Sequence, residues 1–179
     1  MGSWHDILIQ AIGFLGVLFF FISYQVKDNR RLFIIQTLGC LTFSLQFALL
    51  GAFGGCLSLF INITRNIMLT KYDECKAIRW KGWIAVFAAL SIVSALFTWD
   101  GWISILPVVG TVSGTIGCWT NNAGKIRAVN LCVNSPGMML YDVLVGSWGG
   151  VLNEGMTMPS IIISIARFGW KSLDSSKMA

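Results

Sequence analysis

Long uncharged stretches separated by short charged segments dominate the chain. No charged residue interrupts positions 7–26, and none occurs between Arg31 and Arg65. As one helix, that second stretch would be about 50 Å long at ~1.5 Å per residue, well beyond the ~30 Å hydrocarbon core of a bilayer. Because glycine-rich sequence favours turns, we predict a hairpin turn at residues 51–55 that divides the stretch into two helices.

The same pattern predicts seven membrane-spanning helices. They cover residues 7–26, 32–50, 55–70, 83–98, 102–120, 127–145 and 156–170. A helix that crosses a bilayer needs about 20 mostly apolar residues. The seventh segment falls furthest short, since few uncharged residues separate Glu154 from Arg167.

The placement of charge predicts the orientation of these helices. Lysine and arginine gather at 27–31, 71–81 and 125–127 and in the C-terminal tail, with Arg65 and Arg167 near the ends of their helices. The segments on the opposite side hold no lysine or arginine, only the acidic residues Asp6, Asp100 and Glu154. Because cytoplasmic loops of membrane proteins are enriched in basic residues, we predict an N-terminus outside and a cytoplasmic C-terminus.

Composition excludes most soluble classes of protein. The 179 residues are 55% hydrophobic and 12% charged, and the mean hydropathy is +0.72. Charged residues make up about 25% of soluble domains, so a soluble enzyme, a disordered tail, a secreted disulfide scaffold and a nucleic-acid-binding domain fit poorly despite the net charge of +5. We expect an all-α integral membrane protein whose partner is the lipid bilayer, and no nucleic acid.

The chain offers little for catalysis or metal binding. It has one histidine and five cysteines without a CxxC pair, and the predicted spans hold no His-Asp, Ser-Lys or metal-ligand set. We therefore expect no enzyme, no metal and no cofactor. The sequence leaves the oligomeric state open, a homo-oligomer included.

An internal repeat relates the two ends of the chain. A shift of 95 residues aligns the first two predicted helices with the fifth and sixth, and Gly54-Gly55 then meets Gly149-Gly150. Seven extra residues within 151–158 change the shift to 102, so that Arg65 meets Arg167. The repeat is three helices long.

This repeat predicts the layout of a single membrane domain over residues 1–179. Two successive three-helix units would point in opposite directions across the bilayer. One additional helix, at 82–99, restores a parallel pair formed by residues 7–70 and 101–170. Such a 3+1+3 layout is typical of transporters, whose site lies near the bilayer midplane between the repeats.

Several residues carry a resemblance to a known family. The run Ile22-Ser23-Tyr24-Gln25-Val26-Lys27, together with Gly51, Asn62, Arg65 and Asn66, looks like the YgjV family of bacterial inner-membrane proteins. The resemblance extends over nearly the whole chain. It implies a multi-pass protein of the bacterial inner (plasma) membrane and carries no established activity.

The predicted layout also resembles, more remotely, the SWEET, semiSWEET and PQ-loop transporters and the PnuC-type vitamin transporters. In the SWEET-like repeat a Pro-Gln pair ends the first helix and an asparagine in the third helix faces the substrate. Gln25 and Asn62 match the glutamine and the asparagine, whereas Tyr24 stands in place of the proline. Pro136 is the one proline expected in the middle of a helix, so the resemblance does not extend to the proline hinges of SWEET-type helices.

Polar side chains within the predicted spans are candidates for the substrate site. Any one of them alone is explained by hydrogen bonding between helices, but as a set they would line a path for an unknown small polar solute, with an aromatic-plus-amide lining that suits sugars or vitamin-like rings. The candidate substrate-binding residues are Asn62, Ser164, Gln46, Tyr141 and Asn134.

Charged residues within the spans have two interpretations each. Asp142 is the only carboxylate inside a predicted span and is a candidate coupling or ion site; the alternative is a residue near the interface that reaches water, or a protonated acid bonded to a neighbouring helix. Arg65 and Arg167 are candidates for a cytoplasmic gate. Their alternative is snorkelling to lipid headgroups, which we favour.

The function that best fits these predictions is facilitative transport of a small solute. Two three-helix bundles would alternate in access around a polar site at the midplane, as in SWEET-type proteins. The alternative is a membrane scaffold or regulatory partner of another membrane protein that transports nothing itself.

Overall fold

The computed structural model describes residues 4–49, 53–97, 99, 102–145 and 148–174, and every regular element in them is a helix. The first half forms helices α1 (Trp4–Ser23), α2 (Asn29–Leu49), α3 (Phe53–Thr70) and α4 (Gly82–Phe97). The second half begins with a 3₁₀ turn at Trp102–Ser104 and continues through α5 (Ile105–Trp119), α6 (Ala123–Val129), α7 (Ser135–Val145), α8 (Trp148–Phe168) and α9 (Trp170–Asp174). The all-α class is confirmed.

A π-helical turn at Asn130–Asn134 divides the sixth predicted helix into α6 and α7. The backbone N–H of Ser135 bonds to the carbonyl of Asn130, five residues earlier. Pro136 follows directly, and because proline has no N–H it cannot continue the regular ladder of bonds. Wider turns of this kind are common where a helix ladder is interrupted.

The start of the last long helix differs from the prediction. Helix α8 begins at Trp148 instead of 156, so Glu154 lies inside a helix and not in an outer segment. An isolated carboxylate does not end a helix when it is buried among polar neighbours, as Glu154 is. Helix α8 also contains Pro159, so Pro136 is not the only proline inside a helix.

The predicted hairpin turn lies only partly in the described residues. Helix α3 begins at Phe53, so the glycines at 54 and 55 are helical, contrary to the predicted turn. Residues 50–52 and the corresponding positions 146–147 lie outside the described part of the chain.

Contacts between the two halves define helix directions. Gln25, just after α1, bonds to Ser160 in the second half of α8, whereas Gly13 of α1 and Gly149 at the start of α8 line one cavity of about 50 Å³. Helices α1 and α8 therefore run in the same direction.

Helices α3 and α5 also run in the same direction. Arg65 of α3 donates to the Thr115 hydroxyl of α5 at 3.1 Å. Further along the chain in both cases, just after the end of α3 and at the last residue of α5, the Tyr72 hydroxyl donates to the Trp119 carbonyl at 3.2 Å. Contacts that follow each other in the same chain order require parallel helices.

The apolar core lies at one end of the bundle. Its members come mainly from the ends of α1, α3 and α5 and the starts of α2, α4 and α6, close to the charged segments 27–31 and 71–81. They are Tyr24, Leu32, Phe33, Leu69, Phe87, Cys118, Trp119, Ile126 and Ile161. This is the end for which the basic residues predict a cytoplasmic location.

In the described residues, no helix has both the length and the hydropathy that a membrane crossing by a single helix requires. The seven spans and the orientation of the termini stay predictions.

A glycine face on α5 lets the π-turn segment approach closely. Gly110 and Gly114 lie against the Asn134 side chain, and Gly117 lies against Val129. A Cβ added at Gly117 would be 3.1 Å from the Val129 Cβ, so a larger residue must separate α5 from α6.

We predict that Gly117→Val destabilises the protein by about 1–3 kcal/mol, the usual cost of overpacking. The measurement is thermal unfolding of the purified protein in detergent. Gly155→Val is the matched control, since a Cβ at this helical position meets nothing within 4 Å. Equal losses of stability in the two variants would contradict close packing at Gly117.

Candidate functional site

A fully buried arginine joins the two halves of the protein. Arg127 of α6 has no exposed surface, although the sequence places it in a basic cytoplasmic segment. Its Nε donates to the Ser164 hydroxyl at 2.8 Å, and Nη1 donates to the Ala123 carbonyl at 3.0 Å. Its Nη2 donates to the carbonyls of Tyr24 at 3.0 Å and Val26 at 2.6 Å.

The end of α1 provides the negative charge that this guanidinium needs. A helix carries about half a negative charge at its C-terminus, concentrated on unpaired carbonyls, and those of Tyr24 and Val26 follow the last turn of α1. No described carboxylate forms an ion pair with Arg127. Because burying an unpaired charge costs several kcal/mol, these carbonyl bonds hold α1, α6 and α8 in a single arrangement.

Two further polar contacts cross between the halves beside Arg127. The Gln25 amide donates to both the carbonyl and the hydroxyl of Ser160, each at 2.9 Å. The Asn29 amide donates to the backbone carbonyl of Asn121 at 3.0 Å and to its side-chain oxygen at 3.2 Å. We call this set of residues the polar seam: Gln25, Asn29, Asn121, Arg127, Ser160 and Ser164.

The segment 71–81 folds over the same end of the bundle. Glu74 pairs with Arg30 at 3.0 Å, and Asp73 accepts from the Asn121 amide at 3.4 Å. The Trp119 indole donates to the carbonyl of Ile78 at 3.0 Å. The seam is therefore covered and closed at this end.

Three predicted substrate-binding residues have defined neighbours. Ser164 is buried in the seam, where Arg127 binds its hydroxyl. The Asn134 amide donates to the Asn130 side chain at 2.8 Å and faces α5. Gln46 packs on Gly13 and lines the cavity between α1, α2 and α8.

The other two are half-buried. Asn62 lies on α3 and Tyr141 on α7. Within the described part of the chain, no hydrogen bond joins either of them to another predicted site residue. Their roles, like those of the first three, stay predictions.

The two equivalent arginines have different surroundings. Arg65 is half-buried and bonds to Thr115 across the halves. Arg167 is exposed, and its guanidinium carbon lies 5.3 Å from the ring of Phe168. These contacts do not support a gate in which Arg65 and Arg167 act in the same way. Arg127, in contrast, is buried between the halves.

A second polar group lies between α7 and α8 and includes Asp142. Asp142 and Glu154 are 8% and 9% exposed. The Asn153 amide donates to Glu154 Oε1 at 3.3 Å, and the Ser135 hydroxyl and the Asp142 carboxylate both lie close enough to act on the Glu154 carboxyl. The Asp142 carboxylate packs directly on Gly150. We call Ser135, Asp142, Asn153 and Glu154 the carboxylate pocket.

Sequence reasoning missed Glu154, but a signal was present. Glu154, Thr157, Ser160 and Ser164 follow each other at helical spacing, and all four are buried on one face of α8. Polar residues three or four apart share a helix face. If these four residues are interpreted as one buried helix face, the seventh predicted helix begins earlier in the chain and Glu154 lies inside the protein.

Transition-metal chemistry has no ligand set in the described residues, where His, Cys, Asp and Glu do not gather in groups of three or more. In the carboxylate pocket, two of the six side-chain oxygens come from a hydroxyl and an amide.

Large apolar side chains cover much of the outside of the helices. Examples that are more than half exposed are Phe14, Leu18, Phe60, Leu96 and Leu140. Contiguous exposed apolar surface marks an interaction with a partner or a membrane. Apolar outer faces around a buried polar seam are typical of helical membrane proteins.

The comparison of families agrees with this class. Residues 7–172 match Imp-YgjV, the family described as bacterial inner membrane protein. The chain therefore belongs to this family. A search of curated proteins found no match to the chain, and a search of solved structures found none either.

We predict that Arg127→Met is among the most damaging single substitutions for stability. It leaves four oxygen atoms, of Tyr24, Val26, Ala123 and Ser164, without this donor, and a hydrogen bond to a charged group contributes about 1.5–3 kcal/mol. We expect the free energy of unfolding in detergent to fall by at least ~3 kcal/mol. Arg127→Lys should give an intermediate loss, because an ammonium group cannot reproduce the planar arrangement of donors of a guanidinium.

Arg167→Met is the control for this prediction, because Arg167 is exposed and a surface substitution usually changes stability by less than ~0.5 kcal/mol. Similar melting temperatures for the Arg127→Met and Arg167→Met variants would show that the buried guanidinium does not hold the halves together.

Proposed function

We propose that this protein transports a small polar solute across the bacterial inner membrane by alternating access between two parallel three-helix repeats. The observation that carries the proposal is the distribution of contacts between the halves. Hydrogen bonds between them gather at one end, beneath segment 71–81, while the other end has a small cavity lined by polar and apolar groups.

The helix pairing supports the repeat layout. The first helix of each proposed repeat runs parallel to the third helix of the other, α1 beside α8 and α5 beside α3. Such reciprocal pairing is expected of two parallel repeats related by an axis along the membrane normal. A linker is needed between them, and α4 occupies that position in the chain.

The neutral hydrogen bonds at the closed end are weak enough to break when this end opens. A neutral hydrogen bond contributes only about 0.5–1.5 kcal/mol net, so the Gln25 and Asn29 contacts can be exchanged for water or for substrate at modest cost. Pro159 precedes Ser160 in α8, and the missing N–H of a proline weakens a helix at that point. Bending there would separate Ser160 from Gln25.

The substrate in this proposal is neutral and polar, and it moves down its gradient. Gln46, Asn62, Asn134, Tyr141 and Ser164 stay the candidates for contact with it, as amide, phenol and hydroxyl groups that suit sugars or vitamin-like rings. Arg65 and Arg167 stay candidates for a cytoplasmic gate. We propose N-out, C-in topology with seven spans.

The test is a screen of sugars and vitamin-like compounds by thermal stabilisation of the purified chain in detergent, followed by uptake of the stabilising compounds into liposomes. We expect saturable uptake that empty liposomes lack. Stabilisation by no small compound, together with specific binding of another membrane protein, would instead support a scaffold or regulatory partner.

We predict that Gln25→Met opens the closed end more often. The variant keeps the side-chain size and removes both bonds to Ser160. The readout is the labelling rate of Cys118, which is buried in the core at this end, by a maleimide in a background whose other cysteines are serine. We expect a several-fold faster rate.

Gln10→Met is the control for the labelling experiment, since Gln10 is exposed at the other end of α1. Unchanged labelling of Cys118 in the Gln25→Met variant would mean that the seam does not govern access from this side.

A further inference from the structure

Segment 71–81, between α3 and α4, is a loop braced by its own internal bonds. Backbone hydrogen bonds form successive turns along it. The Arg79 guanidinium donates from Nε to the Tyr72 carbonyl at 3.1 Å and from Nη2 to the Asp73 carbonyl. A guanidinium presents its donors in one rigid plane, so Arg79 holds the two ends of the segment together and fixes the positions of Tyr72 and Asp73.

An ion pair attaches the segment to the first half of the protein. Glu74 contacts Arg30 of α2 at 3.0 Å, and the two side chains are 56% and 51% exposed. Exposed ion pairs contribute little to stability and are weakened by salt. Water and ions can therefore readily replace this attachment.

Three contacts of the segment reach the second half, and all of them meet the end of α5 or the turn after it. The Tyr72 hydroxyl donates to the Trp119 carbonyl at 3.2 Å, and the Trp119 indole donates to the Ile78 carbonyl at 3.0 Å. The Asn121 amide donates to Asp73 at 3.4 Å. Because each of these bonds joins the two halves, the halves cannot separate at this end until the segment releases Trp119 and Asn121.

We propose that segment 71–81 is an autoinhibitory strap, which the first half carries through Glu74 and which keeps this end closed by holding Trp119 and Asn121 of the second half. Its gating role rests on the proposed transport function, whereas the contact itself does not. Glu74 and Asp73 are exposed, so water can replace their bonds before any buried bond of the polar seam breaks. The strap is then released first, and the seam opens after it.

The readout is the rate at which a maleimide labels a buried cysteine of the full chain in detergent, since a buried thiol reacts only when the structure around it opens. Two backgrounds are compared, one that keeps only Cys118 and one that keeps only Cys40, with the other cysteines changed to serine. Both side chains are 3% exposed. Cys118 directly precedes Trp119, whereas Cys40 lies in the middle of α2. Release of the strap exposes Cys118 alone, and loosening of the whole fold exposes both.

Reversal of the charges at the ion pair tests the attachment to the first half. We expect Arg30→Glu and Glu74→Arg each to speed the labelling of Cys118 about two- to fivefold, the range that the loss of an exposed ion pair allows. The double variant carries the two charges in exchanged places and should return the rate to that of the wild type. Arg31→Gln is the matched control, because the Arg31 side chain is 78% exposed beside Arg30, and its labelling rate should not change.

The contact with the second half is tested by Tyr72→Phe. This variant keeps the ring and removes the hydroxyl that donates to the Trp119 carbonyl. We expect the labelling of Cys118 to become about two- to tenfold faster, as the loss of one neutral hydrogen bond allows, and the labelling of Cys40 to stay unchanged.

The outcomes separate the strap from the transport function. Unchanged labelling of Cys118 in any of the three single variants, a double variant as fast as the charge-reversed single variants, or an equal acceleration at Cys40 would overturn the strap, even if liposomes take up a solute. Acceleration that is confined to Cys118 and reversed in the double variant would establish the strap, even if liposomes take up no solute and the transport proposal fails.

Discussion

The closed end of this bundle depends on a buried guanidinium held by the carbonyl end of a helix from the other half. Arg127 has no exposed surface and no carboxylate partner among the described residues, so its charge is compensated by oxygens of α1 and by Ser164. A buried charge tolerates little displacement, because each lost bond leaves a desolvated group. The position of α6 against α1 and α8 follows from this constraint, as do the π-turn and α7 that continue from α6.

Polar contacts, more than apolar ones, determine how the two halves are oriented against each other. Leu32, Phe33 and Ile126 fill the core without directional preference, whereas Gln25 and Asn29 each satisfy two acceptors in only one arrangement. Apolar packing supplies most of the stabilising free energy in such a core, and hydrogen bonds select one geometry among several of similar packing. In the proposed transport cycle, exchange of a few polar bonds would change which end is closed.

The sequence predicts most helices of this protein well and its buried charges poorly. Uncharged runs bounded by charge or glycine placed α2, α3 and α4 within a few residues, since these boundaries depend on local composition. For the same local reason, Arg127 was placed in a basic segment at the very start of the sixth predicted helix, and Glu154 was placed in an outer segment. Their burial depends on partners about 100 and about 10 to 20 residues away, the carbonyls of α1 and the oxygens of α7, which no local pattern contains. The helical spacing of polar residues in α8 is the exception, because it carries that information locally.

Arg127 and Glu154, two of the buried charged residues in the described part of the chain, are satisfied separately and in different ways. Arg127 and Glu154 both interact with Tyr24, yet the arginine bonds to carbonyls and the glutamate keeps an unpaired oxygen. An ion pair between them would have stabilised one state and consumed both charges. Carbonyl oxygens do not titrate in the physiological range, so the bonds of Arg127 between the helices do not depend on pH. A carboxyl group, in contrast, can take up a proton, so Glu154 can change its charge where Arg127 cannot.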